Sequence, residues 1–357
     1  MKIPSSRLLF ALLALGALGG IAGALLLSHP GCGRSPPRVV LYCAQDREFA
    51  VDVLAEFTRR TGLEVAPKFD TEADKSVSLY EELVREAKRP RCDVFWNNEI
   101  LSTIRLQRQG LLEPYNSPSA APYPDFAKAA DHTWHAFAER ARVLIINTQL
   151  VPEKDRPRSL FDLTDPRFAQ RVAMAKPQFG TTATHAACLF EVLGDEAAQR
   201  FYRGLRDNGV QIVQGNKQVA VGVGQGEFAV GMTDTDDAIA EVKAGRPVVI
   251  VFPDRDGHPD YPRMGTLFIP NTLGLIRGGP NPDGGRKLID YLLSAEMEKR
   301  LAEAASHQIP LNPQVQAMLP PQIETRKTVK PMQVDWDKAA EQWDRVQTFL
   351  SNEIARP

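Results

Sequence analysis

The sequence predicts an α/β protein built as two lobes, and three observations carry that expectation. Its 357 residues exceed what one hydrophobic core usually organises. Short apolar runs alternate with amphipathic stretches of helical period, which is the pattern of a mostly parallel sheet with helices on both faces. That pattern then starts afresh near residue 142 as a second set.

Ahead of the fold, Lys2 and Arg7 precede Leu8 to Leu27, a run without charge or strongly polar side chains. Such a run is an export signal or a membrane anchor, and its leading positive charges leave the rest of the chain outside the membrane. It ends in one of three ways: cleavage after Ala22-Gly-Ala24, acylation of Cys32 within Gly31-Cys32, or an intact anchor. Anchoring of some kind ranks above free release. Residues 1–37 are therefore read as signal or anchor plus a Gly- and Pro-rich linker.

The first set begins with a strand at Arg38–Cys43 and a helix from Glu48 to Thr61 that turns Ala50, Val51, Leu54 and Phe57 inward and stops at Gly62. A strand at Leu63–Phe69, a helix near 75–88, a strand at Cys92–Trp96 and a helix near 99–109 complete it. The second set opens with Arg142–Asn147, then a strand at Arg171–Met174 and a loop from Lys176 that begins a helix reaching Leu193. A helix at 195–208, a strand at Val210–Val213 and a helix around 219–223 follow. Gly222-Val-Gly-Gln-Gly226 follows no suitable strand, so it reads as a turn and not a dinucleotide fingerprint. A strand at 226–232, a helix at 238–243 and a strand at 247–252 end the set. An extended apolar return at 265–276 leads to helices at 283–293, 295–304 and 336–354.

In such sheets ligands gather beyond the strand C-termini. Ala44-Gln-Asp46, Asp70-Thr-Glu72 and Asn97-Asn-Glu99 occupy that edge with acids and amides and no base. Gly231-Met-Thr-Asp-Thr-Asp-Asp-Ala238 places Asp234, Asp236 and Asp237 within four residues, either as the N-cap of the next helix or as holders of a cation. Gly180-Thr181-Thr182 at a helix start offers free N–H groups, two hydroxyls and a positive dipole end to an anion, or is simply a cap. Oxygen ligands from Asp46, Glu72, Glu99, Asp236 and Asp237 suit hard cations, and the same acids facing an anion cradle suit a zwitterion.

Net charge −1 excludes a nucleic-acid partner held by a basic field. No nucleophile–base constellation, HExxH or P-loop is present, so catalysis is not expected and no cofactor is implied. His132 and His135 read as a solvated or packed pair. Cys43, Cys92 and Cys188 read as buried free thiols.

Eight ordered segments together resemble bacterial solute-binding proteins of the iron(III)-binding, ferric-binding-protein type. They are Leu41-Tyr-Cys-Ala-Gln-Asp-Arg-Glu48 with Phe57-Thr-Arg-Arg-Thr-Gly-Leu-Glu-Val65, Asp93-Val-Phe-Trp-Asn-Asn-Glu99 with Gly110-Leu-Leu112, Arg140-Ala-Arg-Val-Leu-Ile145, Phe179-Gly-Thr-Thr182, Gly226-Glu-Phe-Ala-Val-Gly-Met232 and Leu292-Leu-Ser-Ala-Glu-Met297. The resemblance implies a type II periplasmic-binding-protein fold: 38–141 with 266–305 as lobe 1, 142–265 as lobe 2, and 306–357 as C-terminal helices packed on the lobes. It implies a monomer that captures small cargo and hands it to the permease of an ABC importer. The cargo it implies first is a hard metal ion such as iron, held with a synergistic anion; the alternative is a zwitterionic, phosphorylated or amine solute. Carried over by position, the cargo ligands fall on Asp46, on Asn98 with Glu99 its neighbour, and on Asp236 and Asp237, so the metal ligands expected are Asp46, Glu99, Asp236 and Asp237; Asp234 lies near the anion site, and Glu72 belongs to the acidic rim. The anion falls on Gly180, Thr181, Thr182 and Asn216. Two aspartates stand where that family has adjacent tyrosines, so iron transport does not follow from the resemblance alone.

Overall fold

The computed structural model describes residues 38–45, 47–70 and 77–354. The signal or anchor segment, Asp46 and Glu72 lie outside the described residues. Residues 38–357 make one compact unit.

The strands are β1 (Arg38–Cys43), β2 (Glu64–Phe69), β3 (Val94–Asn97), β4 (Leu112–Glu113), β5 (Trp134–Asn147), β6 (Val172–Ala175), β7 (Gln211–Val213), β8 (Val230–Asp234), β9 (Val248–Val251) and β10 (Phe268–Ile276). The α-helices are α1 (Arg47–Thr61), α2 (Val77–Arg85), α3 (Leu101–Arg108), α4 (Gly180–Leu193), α5 (Asp195–Asp207), α6 (Asn216–Gln225), α7 (Thr235–Lys243), α8 (Pro282–Leu292), α9 (Ala295–Glu303), α10 (Trp336–Glu341) and α11 (Trp343–Glu353). Their sheet order is β2-β1-β3-β10-β5-β8-β6-β7, with β4 on β10 and β9 on β5. Pairing is parallel in β2-β1-β3 and in β7-β6-β8, as alternation with helices requires. Between these two parallel groups β10 and β5 run antiparallel.

Several boundaries differ from the sequence reading for local reasons. Gly226 is the left-handed cap of α6 (φ 82°), so 226–229 is a helix exit and β8 begins at Val230. The segment containing Gly222 and Gly224 is helix. The final helix breaks at Gln342 into α10 and α11. Val51 is 45 % exposed, whereas Ala50, Val53, Leu54 and Phe57 carry the buried stripe of α1. A Cβ on Gly231 would collide with Val219, so glycine there lets α6 lie close on β8. Parallel pairing sets Cys43 opposite Trp96, which keeps it away from Cys92, and both thiols are buried. His132 adopts φ 59° and His135 lies in β5, so they do not share a helix face.

The organising strand is β5, whose 14 residues are all buried. Its first part pairs with β10 and its last part with β8 and β9. Within the β10 pairing the register skips Ala138, which sits at φ 42° opposite the step between Pro270 and Asn271. The bulge is held by Glu298, whose carboxylate accepts from Ala138 N (2.7 Å), Leu311 N (2.9 Å) and Asn312 N (2.7 Å). Next to it Glu139 pairs with Arg326 at 2.8 Å.

Burial pushes Glu139 up to about 7 despite the Arg326 cation, and Glu298 adds in the same direction. Folding then takes up a proton on Glu139, so its contribution is full below the ordinary carboxylate range and falls away as pH rises through about 7. Melting temperature should decline from pH 5 to 8, and Glu139→Gln should make that decline shallower. Parallel slopes in thermal melts of the two proteins would refute the assignment to Glu139.

Candidate functional site

Because β7, β6 and β8 are parallel, their C-terminal ends meet at one edge, where Gln214 follows β7, Lys176 follows β6 and Asp234 is the last residue of β8. Helices α4 and α6 also start at this edge. Neither has a side-chain cap at its N-terminus, so their first N–H groups are left for other partners. Gly180 opens α4 at φ 52°, a left-handed conformation that excludes proline and disfavours any side chain. These parts enclose a cavity of about 30 Å³, room for one small anionic group and little else.

The cavity brings Asn98, Gly180, Thr181, Thr182 and Asn216 together with Asp234, Asp236 and Asp237. Glu99 is not among its walls. Fully buried, its carboxylate accepts from Leu101 N (2.6 Å), Ser102 N (2.9 Å), Asn97 Nδ2 (2.9 Å) and Thr184 Oγ1 (2.8 Å). That corrects its expected role as a metal ligand: Glu99 caps α3 and ties it to α4.

An acidic rim without bases was also expected, and here the structure adds what the turn-by-turn reading missed. Arg140 and Arg142 enter from β5, and Lys176 lines the cavity. Two residues apart on a strand, the arginines share a face. An i, i+2 pair of arginines in an otherwise apolar strand was the available signal. Arg142 is fully buried and donates through Nη1 to Asp234 (2.8 Å), Asn216 (3.0 Å) and Thr181 (3.3 Å), through Nη2 to Thr182 (3.4 Å) and through Nε to His185 Nδ1 (3.5 Å). Burial, and then the neighbouring Arg142 charge, hold His185 well below its ordinary pKa, so it stays neutral and adds no second cation.

Asp234 occupies the N-cap position of α7 but makes no side-chain cap bond. Its carboxylate accepts from Arg142, from Thr181 Oγ1 (2.5 Å) and from Asn216 Nδ2 (3.1 Å). Thr182 Oγ1 donates to Asn216 Oδ1 at 3.1 Å. Both threonine hydroxyl protons are therefore committed to this network, and the backbone N–H groups of α4 and α6 are the donors left to an anion. Arg140 reaches Asp236 at 3.2 Å while donating to Asn98 O (2.7 Å) and Gln45 Oε1 (2.9 Å), so one guanidinium touches the turns after β1 and β3 and the start of α7. Ligand oxygens of Asp234, Asp236 and Asp237 lie within 4.8 Å of one another, which fits a hard cation. Formal charges in this shell balance, with Arg140, Arg142 and Lys176 against the three aspartates. Asp46 and Glu72, expected here, lie outside the described residues.

Known proteins share this arrangement of elements. The family described as bacterial extracellular solute-binding protein matches residues 102–342. The major ferric iron-binding protein of Neisseria meningitidis serogroup A is 26 % identical over 283 residues, covering 78 % of this chain and 82 % of that protein. Iron uptake protein A1 of Synechocystis is 25 % identical over 321 residues, 84 % of this chain and 85 % of its own. Among solved structures, iron-bound HitA from Pseudomonas aeruginosa superposes with TM-score 0.77 at 21 % identity, over 88 % of this chain and 99 % of its own. The periplasmic binding protein AfuA from Actinobacillus pleuropneumoniae, with exogenous fructose-6-phosphate bound, gives 0.78 at 20 % identity over 90 % and 100 %. The fold is thus that of the two-lobed periplasmic binding proteins.

Breaking one side of a buried ion pair costs about 3–5 kcal/mol, because the remaining charge is stranded. Arg142→Met should therefore lower stability in urea denaturation by about that much. Arg142→Met with Asp234→Leu should recover a large part of it. A single variant as stable as the parent would show that the pair does not hold the edge together.

Proposed function

The chain belongs to the bacterial extracellular solute-binding protein family, and from that premise we propose that it captures a small anion-bearing cargo at the start of α4 and α6 and delivers it to the permease of an ABC importer. One observation carries this reading: two uncapped helix N-termini converge on a cavity whose other walls include Asp234, Asp236 and Asp237. Such a cavity offers donors on one side and carboxylates on the other, so it suits cargo with an anionic and a cationic or proton-donating part. Binding is its role, without catalysis.

In the first reading the cargo is a hard metal ion, iron(III) foremost, with a synergistic anion. The three clustered carboxylates support it, as do the names of the iron-binding relatives. The second reading, a small organic zwitterion or phosphorylated solute, is supported by a different feature. Among the described residues no tyrosine lines the cavity, and the aspartates already face Arg140 and Arg142, so the shell is balanced before cargo arrives. The two parallel groups of strands support a division into lobes at 38–141 with 266–305 and at 142–265, with 306–357 packed on them. The N-terminal segment would hold the protein on the outer side of the membrane. Among the described residues no helix is long and apolar enough to span one.

Cargo that binds only the folded protein raises its melting temperature by an amount set by concentration over Kd, on the order of 5 °C at a hundredfold excess. A thermal-shift screen should set iron(III) citrate, with and without carbonate or phosphate, against aminophosphonates and sugar phosphates. If a metal is bound, Asp236→Asn with Asp237→Asn should abolish the metal-dependent shift, read against the variant's own ligand-free melting temperature, which falls because Asp236 also pairs with the buried Arg140. A shift that survives both substitutions removes the aspartates from cargo binding.

A further inference from the structure

Between α9 and α10, residues 304–335 form no helix or strand of their own, yet they are fastened along β5 and the approach to β10. Ile309 exchanges both backbone bonds with Glu139 of β5, each at 2.8 Å. Leu311 and Asn312 give their N–H groups to Glu298, which also accepts from Ala138 N. Arg326 grips the Glu139 carboxylate through Nε and Nη2 and lies over the Phe268 ring of β10 at 5.1 Å. Farther along, Thr266 N donates to Lys330 O and Met332 N to Thr266 O, both at 2.9 Å. Ile309, Ile323 and Val329 join the apolar cluster of Ala141, Val143 and Ile145. The segment thus straps the face of β5 that carries Glu139, while Arg140 and Arg142 point from the opposite face.

We propose that residues 309–332 are a releasable strap on the back of β5, fastened at Glu139 and Arg326, that opens as pH rises while the two parallel groups of strands stay folded. The Glu139 side chain is fully buried, whereas Arg326 keeps 27 % of its side chain in water and can leave with the strap. Charged groups facing Glu139 are Arg326 of the strap and Glu298 of α9, and β10 sets the uncharged Pro270 opposite it. Burial outweighs the Arg326 attraction and pushes the seated Glu139 up to about 7. Opening returns it to water and to the ordinary carboxylate range, so opening releases a proton and is favoured as pH rises through about 7. β5 is also the strand that presents Arg140 to Asp236 and Arg142 to Asp234. Release of the strap therefore reaches the cargo site through one strand, whichever cargo that site takes.

Hydrogen exchange read by mass spectrometry on the ligand-free protein tests it, with rates corrected for the intrinsic pH dependence of amide exchange. From pH 5.5 to 7.5 the opening constant at Ile309, Leu311, Asn312 and Met332 should rise at least about tenfold. At both pH values it should exceed the opening constant of β6 and β8 amides by at least about a hundredfold, since the strap opens without global unfolding. Glu139→Gln should cut the pH-dependent rise to under about threefold. Strap and β6 and β8 amides sharing one opening constant, a parent strap that opens equally at both pH values, or a variant with the parent's rise each overturns the proposal.

Discussion

A buried guanidinium beneath two helix N-termini is the constraint on which the site depends. The starts of α4 and α6 are positive ends, and a bare Arg142 among them would be repelled and desolvated at once. Asp234, brought in as the last residue of β8, neutralises it at 2.8 Å and takes further bonds from Thr181 and Asn216. This network satisfies side chains while leaving the helix-end N–H groups unspent. The cavity at the starts of α4 and α6 is thus a by-product of how a buried charge is compensated, and the network holds its walls in place for the same reason.

Strand alternation extends the arrangement. Since Arg140 and Arg142 share a face of β5, the second guanidinium emerges at the same edge one step nearer β10. It contacts Asn98 and Gln45 from the first parallel group and Asp236 from the second. The bulge at Ala138 lies two residues away, within the β5–β10 pairing, with Glu298 accepting from its N–H. A relative movement of the two strand groups would have to stretch Arg140 between its partners. Cargo that engages Asp236 competes for the same carboxylate, so binding and strand-group geometry meet at one residue.

Much of the fold was legible because period carries it. Alternating apolar runs located β1, β2, β6 and β7 to within about two residues, and Gly62 marked the end of α1. What failed was local chemistry overriding pattern. Gly226 looked like strand and is a helix cap, since a left-handed residue there ends α6. β5 looked short because Glu139, Arg140 and Arg142 interrupt its apolar reading, although each is buried against a partner. Within the site, the aspartate cluster and the Gly180 to Thr182 turn were visible as acids and small residues beyond strand ends. Glu99 misled for the opposite reason: an acid at a helix start is most often a cap, and its two backbone bonds make it one. The compensating arginines were invisible to a turn-by-turn reading, because they arrive from a strand more than ninety positions earlier in the chain.

That compensation bears on what the cavity prefers. A trivalent ion entering three uncompensated carboxylates would gain the full attraction of each. Here Arg142 and Arg140 already draw on Asp234 and Asp236, so a bare cation must share them, and only an accompanying anion on α4 and α6 restores balance. A cargo whose own charges cancel meets no such penalty. In the proposed reading such a shell would disfavour isolated charge of either sign, because Asp234 and Asp236 are one half of a charge-balanced edge completed by β5.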